Sequence, residues 1–503
     1  MKLGLVQIPL TLNRRSKISL QRQIIMQIAG LIERGVLPAG AQLPSLRNFS
    51  REYGIAINTV SLAYQVLASE GWIEIRQGSP TRVSQSLPAQ QLKSLPAHSD
   101  LKPRPLDSRP PLARSFEIPK GDPKVSYPVD FRLGETAAEL FPRDAWQHWA
   151  SVLIRHSPSS TSGYPDPQGL LGLREAIVRH VGTSRGILAR SSDVVIVNGI
   201  QEALTITAYL LLDDRCGVLM ENPCYRGAHN VFAAFGAHID YLRVDDQGIN
   251  PSEIPLGTHR LLHVTPSHQF PLGVSLAQGR RNGVLDWARK ENAYILENDY
   301  DADFRYGDSP IAAMASIDRE RVIYVGTFSK DFGPGLRLGY MICPPSLTPY
   351  VRKAKELLNR GCSWLDQAVI SRMMQSGEFA ARLRVIRRYY SVRRDHLTSV
   401  LHRYGGKIRG DGGGMHVCWE LPPWAPKARF VESALRSFGI KVYLAEEIAV
   451  CGAPESEFER LLFLGFGSVS NESINRLAAA LLTIVGTSDH TVNGARSEIE
   501  TTS

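Results

Sequence analysis

Long apolar runs are missing from this chain: no stretch approaches the roughly 20 residues that cross a bilayer, and no charged start, apolar block and cleavage site open it. Cysteine is scarce too. The six cysteines stand apart without a C-x-x-C pair, which argues against a zinc framework and for a reducing compartment. The expectation is a soluble, cytoplasmic protein with no membrane contact and no metal. Acidic residues are few at the start. Between Met1 and Val83 there are ten Lys/Arg against four Asp/Glu, so six of the nine excess positive charges lie in the first sixth of the 503 residues. A basic terminal module points to a polyanionic partner.

The apolar spacing within that module is helical. Leu20, Ile24, Ile28 and Leu31 or Ile32 recur on one face between Ser19 and Arg34, and Gly35 with Pro38 ends the run. Ser45 caps a second helix to about Tyr53, with Leu46, Phe49 and Tyr53 inward. A third runs from near Ile57 to Glu70 with Val60, Tyr64 and Leu67 inward, and two short strands, Trp72–Ile75 and Thr81–Val83, flank the turn at Gly78. Three helices and a small hairpin make a winged helix-turn-helix. The string LPSLRNFSREYGIAINTVSLAYQVLASEGWIEIRQGSPTRV resembles the DNA-binding domain of GntR-type regulators along its whole length. That resemblance implies that Arg47, Asn58, Thr59, Ser61, Gln77 and Gly78 touch a double-stranded DNA operator, with Asn58 suited to an adenine edge and Arg47 to a phosphate or guanine. Ile57 departs from the pattern, since relatives usually carry arginine there.

From Ser84 to Pro128 the chain is rich in Pro, Ser and Gln and has no period, the composition of a flexible tether. The expected organisation is a DNA-binding domain over 1–83, a linker over 84–128, a large domain over 129–487 and a disordered tail over 488–503. In the large domain apolar strand-like runs alternate with helical segments, an α/β pattern. The stretch GTFSKDFGPGLRLGY (Gly326–Tyr340) carries its chemistry. Lys330 ends the apolar run Val322–Val325, where lost hydration lowers an amine's pKa and frees it to condense with an aldehyde. Thr327 and Ser329 suit a phosphate, the glycines admit its close approach, and Arg337 suits a bidentate pair.

Seven motifs stand in one order: PVDFRLGETAAELFPRDAW, GYPDPQGLLGLREAI, VNGIQEALTI, ENPCYRGA, TPSHQFPLG, ENDYDADFRY and the lysine stretch. Together they resemble the fold-type I aminotransferase domain from about Phe131 to Gly486, and with a GntR-type module in front the chain is identified as a member of the MocR subgroup. The resemblance implies pyridoxal 5′-phosphate (PLP) as cofactor, held as a Schiff base on Lys330, and a head-to-tail homodimer. Its phosphate would meet the free amides of Ile200 and Gln201 at a helix start. Tyr225 would stack on the ring, His268 would line the ring's edge, Tyr300 would meet its phenolic oxygen, and Tyr164 would reach the partner subunit's phosphate.

Two departures bear on chemistry. The family places an acid two residues before Tyr300, where this chain has Asn298; Asp299 is adjacent but faces the other way in a regular strand. Which of Asn298 and Asp299 meets the pyridine nitrogen stays open, and an amide there makes the ring a weaker electron sink. Where an arginine usually clamps the substrate carboxylate, RLLFLGFGSVS aligns Phe463, with Arg460 and Arg409 as the nearest substitutes. The expected function is a PLP-binding transcriptional regulator that responds to PLP or to an amine or amino-acid effector, with poor turnover; the alternative is a working aminotransferase with a DNA-binding appendix.

Overall fold

In the computed structural model, residues 8–85 and 126–486 are described, apart from positions 15, 17, 77, 157–161, 214–215, 258, 302, 307–310 and 453–454. The chain divides into two compact units, Met1–Ser108 and Arg109–Ser503.

The first unit is built by local signals. Helix α1 (Leu20–Glu33) is capped by the Ser19 side chain, which accepts from the Arg22 amide. Helix α2 (Leu46–Tyr53) is capped likewise by Ser45, and Gly54 ends it in the left-handed conformation that glycine adopts without strain. Helix α3 (Ile57–Ser69) follows. Strands β1 (Ile73–Glu74) and β2 (Arg82–Val83) pair antiparallel, Ile73 opposite Val83. Ile24, Ile28, Phe49, Val60, Tyr64, Leu67, Ile73 and Val83 form one core, and the Tyr64 hydroxyl donates to the Pro44 carbonyl at 3.1 Å. Each helix lies within a residue of its expected span. Gln77, and the linker and tail expected over 84–128 and 488–503, fall wholly or mostly outside the described residues.

The second unit opens with β3 (Val129–Asp130), which pairs with Ile440–Lys441. Its frame is an eight-stranded sheet of β4 (Val194–Val197), β5 (Gly217–Asn222), β7 (His238–Asp245), β8 (Gly248–Ile249), β9 (His259–Val264), β10 (Tyr294–Asp299), β11 (Val322–Thr327) and β12 (Gly339–Ile342); a separate short strand, β6 (Cys224–Tyr225), pairs with Ala449–Val450. The order across the sheet is β4-β12-β11-β10-β9-β5-β7-β8. Strands β11, β10, β9, β5 and β7 run parallel, while β12 is antiparallel to both neighbours and β8 to β7. Runs such as VVIV and VIYV are apolar on both faces because helices cover both. Val194, Ile196, Val322 and Tyr324 enter one core and Val195, Val197, Ile323 and Val325 the other.

A smaller antiparallel layer, Lys407–Arg409, His416–Glu420 and Leu461–Gly465, packs with the helices Glu378–His402 and Asn471–Ile484 around a third core. A mixed α/β domain behind a helix-turn-helix unit is the expected fold class. Among the described residues no helix is long and apolar enough to cross a membrane.

Candidate functional site

Parallel strands converge their carboxyl ends on one edge, and helices that follow them begin there with free amides. The segments beyond β4, β5, β9, β10 and β11 enclose a cavity of about 360 Å³, the size of a small-molecule site. Of the residues expected at the cofactor, Ile200, Gln201, Tyr225, Asn298, Tyr300, Thr327, Ser329, Lys330 and Arg337 line it.

One end is built for an anion. The helix Ile200–Leu211 starts after Gly199, whose φ of 81° belongs to glycine. A side chain at 199 would also meet the Arg337 guanidinium, 3.1 Å from an added Cβ. Arg337 is itself left-handed (φ 53°) and donates to the Asn198 carbonyl at 3.4 Å, which sets the guanidinium over the helix start. The Thr327 hydroxyl donates to Ser329 Oγ at 2.9 Å and accepts the Ser329 amide at 3.1 Å, holding both hydroxyls beside Lys330.

Lys330 lies on the short helix Ser329–Phe332. Its Nζ donates to the Gly134 carbonyl at 2.6 Å, and burial lowers its pKa from 10.5, which favours the neutral nucleophilic amine. Tyr225 is half-buried, its ring 5.7 Å from that of Phe270 and nearly perpendicular to it.

At the end of β10 the strand stays regular, and side chains alternate. Asn298 faces the cavity; its Nδ2 lies 3.4 Å from His263 Nε2, and its buried Oδ1 has no hydrogen-bond partner. His263 is fully enclosed, and burial lowers its pKa to about 4, so the ring is neutral at physiological pH.

Asp299 faces away from the cavity, and no local irregularity brings it round. Its carboxylate sits 2.6 Å from Arg185 and accepts the Tyr324 hydroxyl at 2.8 Å. Two other expected residues do not line the cavity. His268 is buried behind Tyr300, with Nδ1 3.1 Å from the Tyr300 hydroxyl and 2.9 Å from Asp301, and Nε2 3.2 Å from the Gly410 carbonyl. Tyr164 is 82% exposed, with the Arg360 guanidinium 4.9 Å above its ring.

The cavity includes groups that local sequence reasoning missed: Leu133 and Gly134 from the loop after β3, Thr265 and Phe270, Asp301, and Met415 with His416. His416 carries its proton on Nε2, 3.0 Å from the Pro271 carbonyl, and burial with neighbouring His268 holds its pKa well below 6.5. The glycine run before it, GDGGGMHV, was the available signal. Phe463, buried in the core, takes the place expected for a carboxylate clamp. Arg460 is spent on the carbonyls of Leu421 and Ala425, and Arg409 on Asp246 and Glu420.

In the first unit Arg47, Asn58 and Gly78 are exposed and Thr59 and Ser61 half-buried. Ile57 heads α3 and is 46% exposed, so it has no core role. Leu62 and Gln65 extend the exposed face of α3, which sequence reasoning did not single out.

The chain matches the family of bacterial regulatory proteins of the gntR family over residues 20–83 and the aminotransferase class I and II family over 136–480. It is 32% identical over 396 residues to the probable rhizopine catabolism regulatory protein MocR of Rhizobium meliloti, covering 78% of this chain and 80% of that one. It is 30% identical over 473 residues to the HTH-type transcriptional regulator TauR of Rhodobacter capsulatus (92% and 96% covered). Against the pyridoxine biosynthesis transcriptional regulator PdxR of Corynebacterium glutamicum the identity is 29% over 414 residues (82% and 86%).

The crystal structure of Pyrococcus horikoshii kynurenine aminotransferase shares the fold of the large unit with a TM-score of 0.64 at 24% identity, covering 71% of this chain and 91% of that one. The residues present fit the cofactor of that fold: free helix amides beside Arg337, a lysine with lowered pKa, and the Asn298 amide on the cavity wall, its buried oxygen without a partner. When bound, PLP supplies an aldehyde carbon conjugated to an electron-withdrawing ring. With a gntR-type unit in front of an aminotransferase-type unit, MocR matched over 78% of the chain and TauR over 92%, the chain belongs to the MocR subgroup of GntR-type regulators, DNA-binding transcription regulators whose large domain binds PLP.

Proposed function

We propose that this protein adjusts its DNA binding to what occupies the cavity at Lys330, and that the cavity holds PLP without efficient turnover. The carrying observation is Asn298. The side chain facing the cavity at the end of β10 is a neutral amide, while Asp299 is engaged behind the sheet by Arg185. A pyridine nitrogen that meets an amide is not held protonated as a carboxylate would hold it. The helix start with Thr327, Ser329 and Arg337 would hold the cofactor's phosphate, Tyr225 would hold its ring and Tyr300 its phenolic oxygen. The name of PdxR, tied to pyridoxine biosynthesis, supports PLP itself as one signal.

The acting form is a head-to-tail homodimer in the cytoplasm, with 84–128 as a tether between a DNA-binding domain over 1–83 and the large domain over 129–487. Exposed Ile154, Leu171, Tyr350 and Leu357 on the large unit, with Tyr164, supply the apolar surface that self-association requires. Arg47, Asn58, Thr59, Ser61, Gln77 and Gly78 meet the operator.

The test is a visible-absorbance titration of full-length protein with PLP, with DNA affinity measured on each form using sites selected from a random-sequence library. Wild type takes up one PLP per chain and its DNA affinity changes on addition of PLP or of an amine. Lys330→Ala loses borohydride-trapped cofactor and loses the response while remaining dimeric. Cofactor trapped on another lysine, or DNA affinity indifferent to both PLP and amines, overturns the proposal.

A further inference from the structure

The two ends of the cavity differ in charge. The end at Ile200, Thr327, Ser329 and Arg337 is rich in donors, and the cations among the described lining residues are Arg337 and Lys330. The other end is walled by Leu133, Phe270, Met415 and His416, and its polar groups other than the Tyr300 hydroxyl are acceptors. The Gly134 carbonyl faces Lys330, Asp301 is a carboxylate, and His416, neutral with its proton given to the Pro271 carbonyl, has a lone pair on its other nitrogen.

Among the described residues, no guanidinium other than that of Arg337 lines the cavity. Arg132, next to Leu133, is held by Asp130 at 3.3 Å, Glu135 at 3.7 Å and the Tyr443 hydroxyl at 3.1 Å. Arg409 and Arg460 are held by the partners described above. A carboxylate brought to this wall loses its hydration and, among the described lining residues, meets no cation besides Lys330 and Arg337, whereas an ammonium or neutral amine finds acceptors.

We infer that the ligand this cavity takes beside its cofactor is a primary amine carrying no carboxylate. The inference rests on the reading of the cavity as a PLP site and narrows its effector class.

The experiment uses full-length, PLP-loaded protein and matched pairs that differ by one carboxylate: isobutylamine and valine, phenethylamine and phenylalanine, cadaverine and lysine. Half-saturation is read by calorimetry and by the change in DNA affinity. The amine of at least one pair is expected to half-saturate at a tenfold or more lower concentration than its amino acid. Leu133→Arg, which places a cation on the half-buried wall, is expected to narrow or reverse that preference by tenfold or more. An amino acid that binds as well as its amine overturns the inference, as does an unchanged preference in Leu133→Arg. So does a loaded protein that responds to PLP but to neither member of any pair, an outcome that leaves the PLP reading standing. Failure to load PLP at all instead removes the reading, and the inference with it.

Discussion

Strand β10 presents two faces of unlike chemistry within a few residues. Behind the sheet, Glu297 accepts the amides of Met314 and Ala315 at 2.9 Å each, and Asp299 pairs with Arg185. Toward the cavity stand Asn298, half satisfied by His263, and Tyr300. Glu297 and Asp299 hold the fold, and the neutral amide of Asn298 is left to the ligand. Proximity of an acid in sequence therefore does not make it part of the site: alternation assigned Asp299 to structure.

The comparison breaks first on stability. Asp299→Ala leaves Arg185 buried without its counter-charge and is expected to cost about 3 to 5 kcal/mol of unfolding free energy. Asn298→Ala, which removes one long contact, is expected to cost about 1 kcal/mol. Equal losses in chemical denaturation would show that the two faces do the same work.

A second, smaller effect lies in pH. Glu221, buried at the end of β5, accepts the Thr265 amide and hydroxyl at 3.0 and 2.7 Å, yet burial still raises its pKa from 4.5 to about 7. A folded pKa above the unfolded one stabilises fully below pH 4.5, and that stability is lost as pH rises through about 7. Glu221→Gln removes the titration, so its unfolding free energy is expected to fall less than wild type's between pH 5 and 8, a difference of up to about 3 kcal/mol read by chemical denaturation. Parallel pH profiles would place the charge of Glu221 in an environment no worse than water.

The smallest effect is chemical. Asn298→Asp puts a carboxylate on the cavity face and is expected to raise the rate of amino-group transfer to PLP about tenfold, roughly 1.4 kcal/mol. The readout is single-turnover absorbance with an amine donor, and no change would mean that this position does not govern the cofactor's electronics.

How much was legible follows from range. The first unit is specified locally: serine caps, a left-handed Gly54 and helical spacing place α1, α2 and α3 within a residue. The anion end of the cavity was legible for the same reason, since Gly199, Ile200, Thr327, Ser329, Lys330 and Arg337 belong to two continuous stretches. The far wall was not. Leu133, Phe270 and His416 come from separate segments, and no local pattern says that they meet. The pairing of Asp299 with Arg185, a helix end far back in the chain, was equally hidden, and it is what decides between Asp299 and Asn298.

The bond from Lys330 to the Gly134 carbonyl ties the reactive side chain to the entrance of the large unit, only a few residues beyond the segment that joins it to the DNA-binding unit. A ligand that draws that amine away leaves the Gly134 carbonyl without its donor, so the backbone around it is expected to loosen when the cavity fills. Amide hydrogen exchange at residues 131–136 would act as the message's earliest readable syllable.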